Sequence, residues 1–262
     1  MRSGNGELWM LVQSQTGEFT IIRTGPTGAS QSLIGLPAGA RASGLAATGA
    51  GVATMLFKDR KPALAQFERG GRLASEIPLS CTMADALLSM EGSVGIVCSD
   101  GQIARYSPVA QIGSQNSWAR PGSLSESLRG NRLTIVDQVT GQVLLNDLAG
   151  GGIATVSVEA PEVLEARRKN DAVNVALKAG ALQKQLMIMD TATDSVDLYL
   201  LVWPYPAQSG PSVVRLSGDG RLIARYKCST PGGAGLTFHK IEVQSGFLLL
   251  GSVSGTVYRY KI

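Results

Sequence analysis

The chain has 262 residues, 44% hydrophobic and 17% charged, a balance that excludes a disordered chain and is sufficient for a large buried core. Its formal net charge is +4, its pI is near 9.0, and its basic residues are scattered apart from Arg167-Arg168-Lys169. That spread speaks against the concentrated patch of a nucleic-acid binder, and no apolar stretch reaches the ~20 residues of a membrane-spanning helix.

In chain order, one phrase recurs: an apolar strand, a glycine-containing turn, then a second strand. It runs as Leu8–Val12, Thr16-Gly17 and Phe19–Ile22, then as Val52–Phe57 and Ala63–Phe67 followed by Gly70-Gly71. It returns as Val94–Cys98, Asp100-Gly101 and Gln102–Tyr106, and again as Leu133–Asp137, Thr140-Gly141 and Gln142–Leu145. A fifth copy is blurred, at Leu186–Asp190 and Val196–Val202, and the last is Phe247–Gly251, Ser254-Gly255 and Thr256–Tyr260. The mean step is roughly 48 residues, inside the span of about 40 to 50 that marks propeller blades. Asp-Gly and Thr-Gly are hairpin turns because glycine accepts positive φ without steric cost.

Segments rich in small residues precede the copies, at Ser43–Ala47, Ala84–Met90, Val173–Ala179 and Leu236–Val243. A polar, alternating strand such as Arg221–Tyr226 follows some of them. This is a blade read from axis to rim: inner strands are crowded and outer strands face water on one side. The spacing therefore predicts an all-β fold, a single β-propeller domain over 1–262 with about six blades of four antiparallel strands, seven being the alternative count. Glu162–Leu186 is rich in helix formers; it is read as a long connection followed by an inner strand near Asp171–Ala179. The chain reads as starting near a second strand and ending after a third. Whether Thr256–Ile262 pairs with N-terminal residues to close the ring is open.

Within this pattern, Asp137 in LTIVDQVTGQVLL and the segment VVRLSGDGRLIARY resemble the blades of six-bladed propellers of the NHL-like and TolB-like kind. The resemblance covers most of the chain at superfamily level. It implies a six-bladed fold and carries no functional motif with it.

Enzymatic propellers gather acidic, amide or histidine groups at the axial funnel to hold calcium or magnesium or to act as acid and base. The polar residues expected at inner-strand edges are Asp85, Glu91, Glu126, Arg129, Asn174, Lys178, His239 and Lys240. They mix signs and share no repeating position. His239 and Glu126 are the catalytic candidates, and Glu126 with Asn174 the metal candidates. His239 is the single histidine and the one side chain whose ordinary pKa lies near neutrality, but no carboxylate partner can be nominated for it. Trp203 and Tyr205, set between prolines in Trp203-Pro204-Tyr205-Pro206, are candidate partner contacts on a stiff loop.

Three cysteines, Cys81, Cys98 and Cys228, form no CxxC pair and are compatible with one bridge and a free thiol; Cys98 sits in an apolar run and reads as a small buried hydrophobe. The first ten residues lack the layout of a signal peptide, and a trimmed exported chain would look the same, so the compartment is open. The expectation is a monomeric, non-enzymatic propeller that binds a protein or small molecule on one face, without cofactor, nucleic acid or membrane span. The alternative is a calcium- or magnesium-dependent lyase or hydrolase of lactone- or sugar-like substrates at the funnel.

Overall fold

The computed structural model describes residues 2–4, 6–25, 28–58, 61–81, 84–116, 124–137, 141–149, 152–158, 160–177, 188–194, 196–203, 211–228 and 237–262. They form six antiparallel sheets and one helix. The chain divides into two compact units, Met1–Pro121 and Gly122–Ile262.

The first unit holds three four-stranded sheets. Sheet one is β1 (Arg2–Gly4), β2 (Glu7–Gln13), β3 (Phe19–Thr24) and β4 (Ser30–Gly35). Sheet two is β5 (Arg41–Ala47), β6 (Gly51–Lys58), β7 (Lys61–Glu68) and β8 (Leu73–Pro78). Sheet three is β9 (Ala84–Met90), β10 (Ser93–Cys98), β11 (Gln102–Tyr106) and β12 (Gln111–Asn116). The second unit begins with sheet four, β13 (Leu124–Arg129), β14 (Arg132–Asp137), β15 (Gln142–Asp147) and β16 (Gly152–Ser157). Helix α1 (Pro161–Leu177) follows, then sheet five, β17 (Ile188–Thr193), β18 (Leu198–Val202), β19 (Ser212–Leu216) and β20 (Leu222–Lys227). Sheet six has three strands, β21 (Phe238–Gln244), β22 (Phe247–Ser252) and β23 (Val257–Lys261). Within every sheet the strands pair in chain order, each with its sequence neighbour.

The recurring phrase is the hairpin of second and third strands. Glycine closes it at positive φ: 88° at Gly17, 83° at Gly101, 67° at Gly141 and 81° at Gly255. An L-residue with a side chain is disfavoured there, so the glycines punctuate the repeat. Second strands are the most buried, fully so in β10 and β18 and least in β2, where only Leu8 and Trp9 are buried. The described fourth strands β8 and β20 alternate between exposed and half-buried positions. The gradient read from the sequence is therefore present, and it arises because a central strand is covered on both faces whereas an edge strand is covered on one.

The core consists of layers between consecutive sheets, and strand alternation distributes residues among them. On β6, Val52 and Leu56 face sheet one, where they join Trp9, Ile21 and Ile34. Ala53 and Met55 turn the other way, to Leu87, Val94 and Ile96 of sheet three. On β18, Leu198, Leu200 and Val202 pack with Val136 and Val143 of sheet four. Tyr199 and Leu201 pack with Ile241, Val243 and Leu250 of sheet six. First strands adjoin within each unit: β5 meets β1 and β9, and β17 meets β13 and β21.

Three expectations are corrected. Residues 161–177 are helix α1 rather than a connection leading into a strand near Asp171–Ala179. Pro161 occupies the first helical position, Glu162 and Glu165 lie in the first turns where the helix dipole favours acids, and Lys169 Nζ pairs with Glu165 Oε1 at 2.8 Å one turn on. Val163 anchors the helix in the layer between sheets four and five. Because the helix occupies that stretch, the blurred fifth copy is out of phase by one strand. Its two segments are β17 and β18, the first and second strands, and the second-to-third hairpin is β18 with β19. The chain also opens on a first strand, β1, whose Ser3 pairs with Leu8. At the other end, β23 is a third strand, as read.

Sheets five and six are clamped by a buried carboxylate. Asp190 on β17 is 6% exposed, and its Oδ2 accepts the backbone N–H of Ile241 on β21 at 3.0 Å. Its Oδ1 lies 3.6 Å from Lys240 Nζ. Both strands shift register here, between Ile188 and Asp190 and between Phe238 and Lys240; each bulge re-aims the side chains beside it.

Replacing Asp190 with Ala should leave the Ile241 N–H buried without its acceptor and cost about 1–3 kcal/mol, read from urea denaturation. A loss below about 0.5 kcal/mol, the range of ordinary surface substitutions, would show that the clamp is not needed. Deleting Val257–Ile262 removes Tyr258, Tyr260 and Ile262 from the last core layer and bares the edge of β22. The truncated chain is expected to lose its cooperative thermal transition, which circular dichroism would register.

Candidate functional site

His239 lies at the β21 bulge, half-buried, and its Nδ1 is buried without a hydrogen-bond partner among the described residues. Burial, followed by the Lys240 ammonium, pushes its pKa below the ordinary histidine value, against the opposing pull of Asp190. Asp190 stands on the adjoining first strand β17. Its oxygens face the Ile241 N–H and Lys240, so the group acts on the backbone of β21.

Glu126 lies on β13, opposite Ile135. Asn174 lies on α1 rather than on an inner strand. The pair thus comes from a strand and a helix, not from equivalent positions of two blades. Among the described residues, no group of three or more His, Cys, Asp or Glu side chains is gathered where it would hold a metal ion. Trp203 follows the end of β18 and is half-buried, while Tyr205 lies outside the described residues. The run Arg167-Arg168-Lys169 sits on α1, with Lys169 engaged by Glu165.

Cys81 and Cys98 form a disulfide that ties the segment after β8 to the end of β10. Cys228 is the free cysteine, and burial pushes its thiol up to about 11. A buried thiol of that pKa is a poor nucleophile.

A cleft between sheets four and five gathers groups the sequence reading did not single out. It is lined by the apolar Val143, Leu145, Val156 and Leu198 and by Arg132, the buried Thr134, Asp194, Asp197 and Gly218. Its volume is about 80 Å³, well below the roughly 300–1,000 Å³ of sites for drug-sized ligands. Two loops of sheet five cover one end: the β17–β18 hairpin and the β19–β20 turn. Arg132 reaches from β14 across the cleft, and its Nη2 donates to the Gly218 carbonyl at 2.8 Å. A Cβ on Gly218 would stand 3.1 Å from both Arg132 Nη1 and the Val196 carbonyl, so glycine permits this close approach.

The β17–β18 hairpin is rigidly bonded. Asp194 Oδ1 accepts the backbone N–H of Val196 at 2.8 Å and of Asp197 at 2.7 Å, an Asx turn. Its Oδ2 accepts the Tyr199 hydroxyl at 3.0 Å. Burial raises the pKa of Asp194, but these three bonds and the charge of Arg215 outweigh it and hold the carboxyl below its ordinary value. Tyr199 is raised, by burial first and by Asp194 next. Asp197, 6% exposed, accepts Arg215 Nε at 2.7 Å and lies 2.6 Å from its Nη2. That is a two-point, charge-assisted contact. Arg215 also lies over the Tyr199 ring, 5.6 Å from its centroid. Both carboxylates are thus fixed in place, Asp194 by its three hydrogen bonds and Asp197 by Arg215.

No protein-family model matches the sequence, and no curated protein matches it. Solved structures do. A protein of unknown function from Bacteroides caccae is 10% identical with a TM-score of 0.54, over 86% of this chain and 83% of that one. BamB from Moraxella catarrhalis, a β-propeller, is 12% identical with a TM-score of 0.50, over 97% of this chain and 82% of that one. Glutaminyl cyclase from Myxococcus xanthus is 13% identical over 83% of this chain and 88% of that one, and its TM-score of 0.49 supports no argument. At such identities likeness speaks for fold alone: this chain is an all-β protein of the β-propeller class.

Proposed function

We propose that this protein is a six-bladed, non-enzymatic binding propeller of the NHL-like and TolB-like kind, which holds a small molecule or a partner's side chain in the cleft between sheets four and five. One observation carries the reading: the polar groups lining this cleft, Arg132, Asp194 and Asp197, are each held in place by hydrogen bonds beside the apolar Val143, Leu145, Val156 and Leu198. A recognition site needs such preorganisation. Trp203, just after β18, and Tyr205, outside the described residues, are proposed as further contacts for a partner.

The reading is tested by thermal shift and by amide NMR on the full chain. Small polar and apolar fragments are expected to shift amides of residues 132–134, 193–198 and 217–220. Calcium or magnesium added to chelator-treated protein is expected to leave the melting temperature unchanged. A cation-dependent rise would overturn this reading in favour of a metal-dependent lyase or hydrolase acting at the first strands, because a ligand of the native state stabilises it.

We also propose that the protein works in an oxidising compartment, since disulfides such as Cys81–Cys98 form and persist there. No helix among the described residues is long and apolar enough to cross a membrane. The bridge spans a sequence separation of 17, for which chain-entropy arguments give about 3 kcal/mol. Reduction, or Cys81→Ala, should lower the denaturant midpoint accordingly. An unchanged midpoint would remove this support.

A further inference from the structure

We infer that the outer edge of β23 is a docking site for an extended acidic segment of a partner protein, which adds a fourth strand to sheet six. No residue of this edge lines the cleft between sheets four and five, and the inference stands apart from that cleft. Burial singles the strand out. By position β23 is a third strand. The other third strands, β3, β7, β11, β15 and β19, each carry a fourth strand on their outer side and each hold two or more buried residues. β23 holds none, and among the described residues no strand lies beyond it. It is a third strand with the exposure of a fourth, such as β20.

The backbone of this edge is open in a defined pattern. Ile262 donates its N–H to the Gly246 carbonyl at 3.1 Å, and the Thr256 carbonyl accepts the Ser252 N–H at 2.9 Å. Antiparallel ladders alternate, so Tyr258 and Tyr260, opposite Leu250 and Leu248, turn their backbone groups to β22. Val257, Arg259 and Lys261 turn theirs outward, a row of donors and acceptors that a further strand pairs.

The two faces of the edge select the occupant. On one face Tyr258, Tyr260 and Ile262 are half-buried in the layer that also holds Tyr226 and Cys228 of sheet five, and an apolar side chain on the added strand extends that cover. On the other face Arg259 and Lys261 are exposed. Arg259 lies over the Phe247 ring, 3.5 Å from its centroid, and among the described residues neither cation pairs with a carboxylate. Residues directly opposite in a sheet share a face. The fitting segment therefore carries Asp or Glu opposite Arg259 and Lys261, with apolar residues between them. A second copy of this chain, paired β23 to β23, would set cation against cation on that face, which is destabilising.

The test is amide exchange by NMR on the full chain, with capped hexapeptides that alternate valine with glutamate or valine with lysine. In the free protein the amides of Val257, Arg259 and Lys261 should exchange freely, and those of Tyr258 and Tyr260 slowly. The valine–glutamate peptide should protect the first three. The valine–lysine peptide forgoes two exposed ion pairs, worth about two- to fivefold each, and should bind about tenfold more weakly. N-methylation of the glutamate amides, which face β23 in an antiparallel pair, should abolish binding, whereas N-methylation of the valine amides should not. In the double variant Arg259→Glu, Lys261→Glu, whose folding is checked by its unchanged spectrum elsewhere, the preference between the two peptides should reverse. Equal binding of both peptides overturns the proposal, as does the absence of peptide-induced protection at the three amides. Protection of those amides in the free protein overturns it too: with a dimer in sedimentation the occupant is a second copy, and with a monomer it is this chain itself. Peptide shifts confined to residues 132–134, 193–198 and 217–220 would leave the cleft reading standing and remove this one.

Discussion

The second strands β6 and β18 are covered on both faces by neighbouring sheets of their own unit, and the rest of each unit depends on that two-sided burial. Strand alternation sends Val52 and Leu56 of β6 to one neighbour and Ala53 and Met55 to the other. The same alternation divides β18 between sheets four and six. Each core layer is thus shared by two sheets, and a single sheet has no complete core of its own. This is the repeat-protein condition: a supersecondary unit becomes stable by stacking on its neighbours. It also explains the uneven composition along each blade. Second strands read as continuous apolar runs, whereas edge strands such as β8 and β20 alternate.

Several polar groups in these layers tie one element to another. Thr54, fully buried, donates its hydroxyl to the Gly44 carbonyl at 2.8 Å. Gln66 spans sheets two and three by donating to the Ser107 carbonyl at 3.0 Å. Asp190 does the same between sheets five and six with a charge, which in a low-dielectric layer demands the Ile241 N–H and the nearby Lys240. The Asp197–Arg215 pair follows the same rule at the edge of the core. These acidic residues hold elements in place, and the cleft above sheet four is shaped by the hairpin that they stiffen.

The hairpins at β2–β3, β10–β11, β14–β15 and β22–β23 are legible in the sequence because an apolar run and a turn glycine are local signals. The fifth sheet was harder to read for an equally local reason. Its second and third strands are separated in sequence by residues 203–211, and the helix formers of α1 replaced the small-residue segment that precedes other copies. The candidate site was hardly legible. The Asx turn at Asp194 has a local signature, a pair of aspartates three apart between two strands. Its meaning comes from Tyr199, Arg215 and Arg132, which lie on three different strands. His239 was visible as the single histidine, while its neighbouring carboxylate, Asp190, was not.

The sequence by itself determined the all-β class, the blade-like period, the turn positions and the order of strands from inner to outer. Each of these is a property of a short segment: alternation, a glycine at positive φ, or the length of an apolar run. Tertiary structure decided which two of three cysteines bond, that 161–177 is helix, that Asp190 clamps β21, and that Arg132 meets Gly218 across 86 residues. Those outcomes depend on which faces of two sheets are brought together, and periodicity shows that a strand has two faces without showing what each one meets.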